Sequence, residues 1–239
     1  MFKKLSFVPS LSHVSPLSWV GKILREVDWA VVMSRKKGRA WVRQHISDPF
    51  VKKSKSDQLR SRSSYKLAEL IDRWGLLKRG MAVVDLGAAP GGWSQVAART
   101  VGPEGYVLAS DVVDFDCIDG VEMILGDFNE KSVFNSLIAA SGGGIDVVMS
   151  DMSPNLTGVK EIDQPQSFHL ADQALYFSRR VLRPGGTLIV KIFQGSGFDE
   201  FVLNLRRVFN AVKIKKPKAS RSRSRETYVV ATGFDDHGR

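Results

Sequence analysis

The stretch Met81–Gln95 reads MAVVDLGAAPGGWSQ, and the fold follows from it. Met81 to Val84 lead as an apolar run into Asp85, a Gly-rich turn follows, and Trp93 opens a helical pattern that continues to about Arg99. A buried strand, a tight turn and a helix N-terminus in that order form the ligand-binding corner of a doubly wound α/β domain. Glycine lets a backbone approach a ligand where a side chain would block it. A dinucleotide fingerprint needs G-x-G-x-x-G, whereas here the glycines fall at Gly87, Gly91 and Gly92, with Pro90 between. Pro90 has no N–H to donate, and no Lys follows the turn as in a P-loop. The turn therefore suits a nucleoside ligand without a pyrophosphate better than NAD or ATP.

Working outward, 239 residues support one large domain with room for an appendage. The single cysteine, Cys117, excludes an internal disulfide framework and a Cys-rich metal site, so no metal centre is read and a reducing compartment is expected. No apolar run approaches the ~20 residues of a membrane-spanning helix, so no membrane partner is expected. The net charge of +10 is unevenly spread. Residues 34–76 carry twelve Lys/Arg against four Asp/Glu, and residues 201–225 carry nine Lys/Arg and no acid. Residues 80–200, in contrast, carry seven basic and sixteen acidic residues. An acidic centre flanked by basic segments implies separate surfaces for separate ligands. The basic segments fit a polyphosphate such as nucleic acid, because Lys and Arg gain affinity by displacing condensed counterions.

Three regions are expected along the chain: an N-terminal extension over 1–33, a basic arm over 34–56 and the α/β domain that holds the Gly-rich corner over 57–239. Residues 1–33 leave two readings open, an organelle presequence or an upstream extension ahead of Met33; Pro9 and Pro16 argue against a secretory signal. The arm interleaves Arg and Lys with Trp41, His45 and Phe50, so cations can reach phosphates while rings stack on bases; a tail that only docks on the domain is the alternative. Leu67, Leu70, Ile71 and Trp74 then form a helical stripe. Lys66, in the first turn of that helix, opposes the helix dipole, and such a misfit is a place to look for function.

Beyond the Gly-rich corner, Tyr106–Ser110 reads as a strand ending at Asp111, 24 residues after Gly87. That is close to the spacing at which such sheets offer a carboxylate to a ribose diol. Met123–Leu125 is a short strand ending at Gly126-Asp127, residues 130–141 a helix, and Ile145–Ser150 a buried strand that delivers Asp151 to the crevice. The segment 155–164 reads as a polar loop and a helix is expected from about Gln166 to Leu182, stopped by Arg183-Pro184-Gly185-Gly186. Thr187–Phe193, TLIVKIF, places Lys191 inside an otherwise apolar strand. An unpaired ammonium there costs several kcal/mol, so carboxylates in the crevice are expected to hold it. A helix over Phe198–Phe209 and a strand over Ala211–Lys215 follow; SRSRSRE is tethered before a last strand, Thr227–Thr232, which Glu226 introduces.

The motifs VVDLGAAPGGWSQ, SDMSPN, VKIFQG, GFDE and SRSRE-x-Y-VVATG resemble those of the FtsJ-type ribosomal RNA 2′-O-ribose methyltransferases, and the resemblance covers about Met33 to Phe234. It implies a Rossmann-like, mostly parallel seven-stranded sheet with an antiparallel last strand. It also implies S-adenosylmethionine (SAM) as cofactor, bound by Gly87, Gly91, Trp93, Asp111, Asp127 and Asp151, with Asp127 on the adenine amino group. A catalytic tetrad falls by local motif on Lys66, Asp151, Lys191 and Glu226. Lys191 is the candidate base, and Asp151 and Glu226 orient the lysines. The implied substrate is a uridine in the A loop of large-subunit ribosomal RNA, modified late in assembly by a monomer in the cytoplasm, or in mitochondria if residues 1–32 are a presequence. A transfer-RNA or mRNA-cap methyltransferase shares the tetrad, and a non-catalytic RNA-binding assembly factor is the alternative from another class. An NAD-linked oxidoreductase has Asp111 for it and the glycine spacing against it.

Overall fold

The computed structural model describes residues 47–142 and 144–235; residues 1–46, which hold the extension and most of the basic arm, lie outside the described residues. Two helices come first, α1 (Pro49–Ser56) and α2 (Ser64–Trp74). The α/β core follows as β1 (Ala82–Leu86), α3 (Gly92–Val101), β2 (Tyr106–Asp111), β3 (Val121–Leu125), α4 (Lys131–Ser141) and β4 (Ile145–Ser150). It is completed by α5 (Lys160–Val181), β5 (Leu182–Phe193), α6 (Phe198–Arg206), β6 (Phe209–Lys215) and β7 (Glu226–Phe234).

The strands form one seven-stranded sheet in the order β3-β2-β1-β4-β5-β7-β6. β7 runs antiparallel to both its neighbours and the remaining pairings are parallel. After β1 the chain builds outward through β2 and β3, then returns to the other side of β1 with β4. That reversal is the switch point at which open α/β sheets bind ligands beyond their strand ends.

Alternation along each strand divides the core in two. Val84, Leu86, Val148 and Val190 pack against Leu137 of α4, Phe177 of α5 and Phe201 of α6. Val83, Val147, Met149 and Ile189 face the other way, onto Leu67 and Leu70 of α2 and Trp93 and Ala97 of α3. The helical stripe read from Leu67 onward is thus the buried face of α2.

Three boundaries differ from the sequence reading by three residues or more. α5 begins at Lys160 rather than near Gln166 and carries Pro165 inside it. Proline marks a boundary in a sequence because it lacks an N–H; Pro165 is the sixth residue of α5, so the helix forgoes one backbone hydrogen bond there, while Glu161 and Asp163 in the first turn favour the positive end of the dipole. β5 begins at Leu182: Arg183-Pro184-Gly185-Gly186 is a bulge, across which the register with β4 shifts between Ile145 and Val147. Val208 and Phe209 leave the expected helix, and Phe209 starts β6 by pairing with Phe234. The end of the basic arm forms α1, docked on α2 through Phe50 and Tyr65, whose ring centroids lie 5.6 Å apart.

Candidate active site

The Gly-rich turn leaves β1 with Gly87 at φ 75°, a conformation that favours glycine. A Cβ there would lie 2.5 Å from Met152 Cγ. At Gly91, which caps α3 at φ 90°, a Cβ would lie 2.8 Å from Ile118 and 3.0 Å from Phe115. The close approaches that require these glycines are therefore made by the protein's own side chains. The Gly87 and Ala89 backbone still borders the crevice.

That crevice, about 300 Å³, opens beyond the ends of β1, β2, β3 and β4 and is lined by Gly87, Ser110, Asp111, Asp127, Asp151 and Met152 among others. Asp111 ends β2, where its carboxylate accepts hydrogen bonds from the Ala89 and Val113 N–H groups, each at 2.9 Å. Asp127 accepts from Asn129 N and Nδ2 at 2.8 and 2.9 Å, both through Oδ1. Ser110 is buried on the crevice wall with its Oγ lacking a partner among the described residues. Two fixed carboxylates and an unpaired hydroxyl suit the diol and amino groups of an adenosine, so the residues present fit SAM. Gly91 and Trp93 do not line the crevice. Trp93 is 2% exposed; its Nε1–H donates to Ser63 O at 2.9 Å and fastens the start of α3 to that of α2.

The two lysines singled out in the sequence come together at the edge of this crevice. Lys191 is buried in β5, with Nζ 3.1 Å from Asp151 Oδ1, and donates to the Asp151 carbonyl at 2.5 Å. Lys66, on the first turn of α2, lies 2.7 Å from Glu226 Oε1 and donates to the Tyr228 hydroxyl at 3.3 Å. Tyr228 in turn donates to Asp151 Oδ1 at 2.6 Å. A continuous path thus runs Glu226, Lys66, Tyr228, Asp151, Lys191, with two charges of each sign. Paired this way, buried charges retain the partners whose loss costs most.

Four elements supply the path, and each placement has a local cause. The dipole misfit at Lys66 is compensated by Glu226, which pairs directly with Phe193 at the β5/β7 edge. Trp93 and the Ser64 hydroxyl, which donates to Gly92 O at 3.0 Å, hold the α2 end that carries Lys66. Lys191 and Tyr228 are opposite one another in the β5/β7 register, so they share one face of the sheet.

The electrostatics follow from the pairing. Burial by itself would raise the Asp151 carboxyl; Lys191, Lys66 and the Tyr228 hydrogen bond outweigh it and hold Asp151 below the usual carboxylate range. Burial, reinforced by Asp151 and Glu226, pushes the Tyr228 phenol well above its ordinary value, so it remains a donor. Asp85, beneath the turn, is fully buried; desolvation pushes it up to about 7, against the Ser94 hydroxyl that donates to its Oδ2 at 2.6 Å.

Tyr228 is the member that sequence reasoning missed. Its signal was the i, i+2 spacing from Glu226 in the last strand, which puts both side chains on one face, but a mid-strand tyrosine in TYVVAT also reads as ordinary core.

Residues 59–234 match the profile of the family described as FtsJ-like methyltransferase. The chain is 51% identical over 200 residues to the ribosomal RNA large subunit methyltransferase E of Cellvibrio japonicus, covering 83% of this chain and 95% of that protein. It is 48% identical over 204 residues to the protein of the same description from Pseudomonas aeruginosa PAO1, covering 84% of this chain and 99% of that one. A crystal structure of a Plasmodium falciparum protein, described provisionally as a ribosomal RNA methyltransferase, superposes with a TM-score of 0.66 at 31% identity, covering 73% of this chain and 98% of that chain. Among the described residues no helix is long and apolar enough to cross a membrane.

Proposed function

This chain belongs to the FtsJ-like methyltransferase family, and from that premise we propose that it methylates a ribose 2′-hydroxyl of large-subunit ribosomal RNA. The observation that carries the reading is the buried path from Glu226 to Lys191, set at the edge of a crevice suited to adenosine. Bound SAM supplies a methyl group already activated by its sulfonium. The protein's tasks are to align the attacking oxygen and to remove its proton.

In this reading Asp111 takes the ribose diol of the cofactor and Asp127 its adenine amino group, while Asp151 lies between cofactor and nucleophile. Lys191, after giving up one proton to solvent, takes the proton of the 2′-hydroxyl as the oxygen attacks, and Asp151, already ionised, pairs with the ammonium so restored. Lys66, held by Glu226, donates to the attacking oxygen and keeps it in line. Positioning alone supplies up to ~7–11 kcal/mol in favourable cases, which explains why the site is built from mutually restrained groups. Trp93 serves by fastening the α2–α3 junction on which Lys66 stands, and Gly91 by capping α3 against Phe115 and Ile118.

We extend the reading to a uridine of the A loop, modified late in subunit assembly. The support is the closing SRSRE-x-Y segment and the similarity along nearly the whole length of the bacterial relatives. Every member of the site comes from one chain, so a monomer suffices, and bacterial ribosomes place its work in the cytoplasm. Residues 34–56 and the loop ahead of β7 supply the cations for RNA. That loop is fixed by Lys216, which donates to Ser222 O and Ser224 O at 3.0 and 2.5 Å, and by Glu69, which accepts from Lys218 N at 2.7 Å.

Mapping ribose methylation in a deletion strain tests this reading. Loss of one 2′-O-methyl group in the large-subunit RNA, restored by the gene, is the expected result. An intact large subunit with a missing transfer-RNA methyl group overturns it.

A further inference from the structure

A second cleft, about 230 Å³, lies against the strand ends that carry the tetrad, and the reaction as described does not use it. Its lining includes Leu156, Lys160, Gln164, Phe193, Ser224 and Arg225. The β5/β7 register places it relative to the chemistry. Lys191 pairs with Tyr228 and Phe193 with Glu226, so these four residues occupy one face of the sheet. Phe193 therefore stands two residues beyond Lys191, roughly 6–7 Å farther along the strand.

Both walls of the cleft are fixed. On one side Phe193 is half-buried, and its N–H donates to Ser167 Oγ at 3.0 Å. On the other is the loop after β4, whose Leu156 is 62% exposed and takes no part in either core cluster. Asp163 anchors that loop, accepting from Thr157 N and Oγ1 at 2.8 Å each and from Gly158 N at 3.1 Å. Gln164 Nε2 ties the start of α5 to Gln194 O at 3.1 Å. The polar end carries Ser224, whose Oγ accepts from Glu226 N at 3.2 Å and keeps its own hydrogen to donate, and Arg225. The Arg225 guanidinium lies near enough to the Asp163 carboxylate, which also lines the cleft, to help the Thr157 and Gly158 hydrogen bonds hold it below the usual carboxylate range.

A slot with one aromatic and one aliphatic side chain, two cations, Lys160 and Arg225, and an Asp163 carboxylate already taken up by Thr157 and Gly158, suits a flat, partly polar ring attached to a phosphate. We propose that this cleft receives the unstacked base of the target nucleotide, resting on Phe193 opposite Leu156, with its neighbouring phosphate at Arg225. The inference rests on the function proposed above. It explains how one ribose is held still: the 2′-oxygen lies at Lys191 while the base of the same nucleotide lies one side-chain step away along β5. Leu156 and Phe193 thereby fix the rotation of the sugar.

The test uses the full chain and large ribosomal subunits from cells lacking this methyltransferase. It measures kcat and KM for the subunits, and SAM affinity by calorimetry, for the parent and for Phe193→Leu, Phe193→Trp and Arg225→Ala. Stacking of a base on an aromatic ring predicts that Phe193→Leu raises KM roughly 5- to 150-fold with SAM affinity unchanged, and that Phe193→Trp restores most of the loss. Arg225→Ala should raise KM and flatten its salt dependence by about 0.7–0.9 in log–log slope. The proposal is overturned if the parent methylates the subunits and Phe193→Leu keeps its KM, or if Leu and Trp impair it equally, which is the mark of packing rather than stacking. A parent protein that leaves the subunits unmethylated contradicts the proposed function itself, and this inference with it.

Discussion

Tyr228→Phe removes one oxygen atom from the centre of the tetrad and leaves the ring in place. That ring is fully buried, with its centroid 5.5 Å from that of Trp93, so the substitution opens only an oxygen-sized gap. The lost hydroxyl donates to Asp151 at 2.6 Å and accepts from Lys66 at 3.3 Å. A hydrogen bond to a charged group contributes about 1.5–3 kcal/mol net, and the shorter of the two bonds dominates. With Asp151 and Lys66 no longer joined, the same range applied to the transition state lowers kcat roughly 10- to 150-fold. Stability should fall by about 1–3 kcal/mol, lowering Tm by roughly 2–12 °C for a domain of this size. The Asp151 carboxyl should also move upward, because one of the groups holding it down is gone, so the acid limb of the rate profile shifts to higher pH. The assay combines single-turnover methyl transfer over a pH series with thermal melting and SAM calorimetry. A Tyr228→Phe protein with parental turnover and an unmoved acid limb refutes the idea that Tyr228 couples the two ion pairs.

Three further outcomes follow from the site. Asp85 holds a proton up to about pH 7 in the folded protein, whereas an unfolded Asp releases it near 3.8, so its contribution to stability is complete below pH 4 and is lost as pH rises through 7. Asp85→Asn should remove that slope, and the variant-minus-parent stability difference should rise by on the order of 4 kcal/mol between pH 4 and 8 in denaturant titrations; an unchanged difference means that Asp85 is ionised throughout. Gly87→Ala drives a Cβ to 2.5 Å from Met152 Cγ at a φ of 75°, so SAM affinity by calorimetry should drop at least about tenfold through displacement of Met152 from the crevice wall; parental affinity would show that the wall yields without consequence. Neutralising Arg35, Lys36, Lys37 and Arg39 together should weaken RNA binding and flatten its salt dependence by ~0.7–0.9 per lost phosphate contact while sparing SAM affinity, and an unchanged slope would remove the arm from the RNA interface.

Much of this architecture is legible in the sequence because the central strands of the sheet are buried on both faces. Continuous apolar runs such as AVVDL and IDVVMS declare parallel strands, and the polar residues that interrupt them, Asp85 and Lys191, stand out against that background. Strand-end acids such as Asp111 and Asp151 are legible for the same reason, since the strand's end fixes where they project. What stays hidden is whatever depends on register between distant segments. Neither Lys191 opposite Tyr228 nor Phe193 opposite Glu226 leaves a local mark, so the tyrosine bridge and the cleft beyond it emerge only from the paired strands. The glycine turn is legible as a turn but not in its reason: Gly87 and Gly91 clear space for Met152, Phe115 and Ile118. Pro165 misleads because a proline signals a helix boundary locally, whereas α5 accommodates it within its early turns.

Lys191 carries the central claim, and one measurement addresses it directly. Large subunits lacking the modification are incubated at saturating SAM with either the parent or Lys191→Ala protein, and the RNA is digested to nucleosides to identify the methylated product. The account predicts a single 2′-O-methylated nucleoside from the parent and loss of at least about 99% of that product from the variant, since general-base action contributes ~10²–10⁴-fold. A methyl group on a base atom, or a Lys191→Ala protein that forms the 2′-O-methyl product near the parental rate, would contradict it.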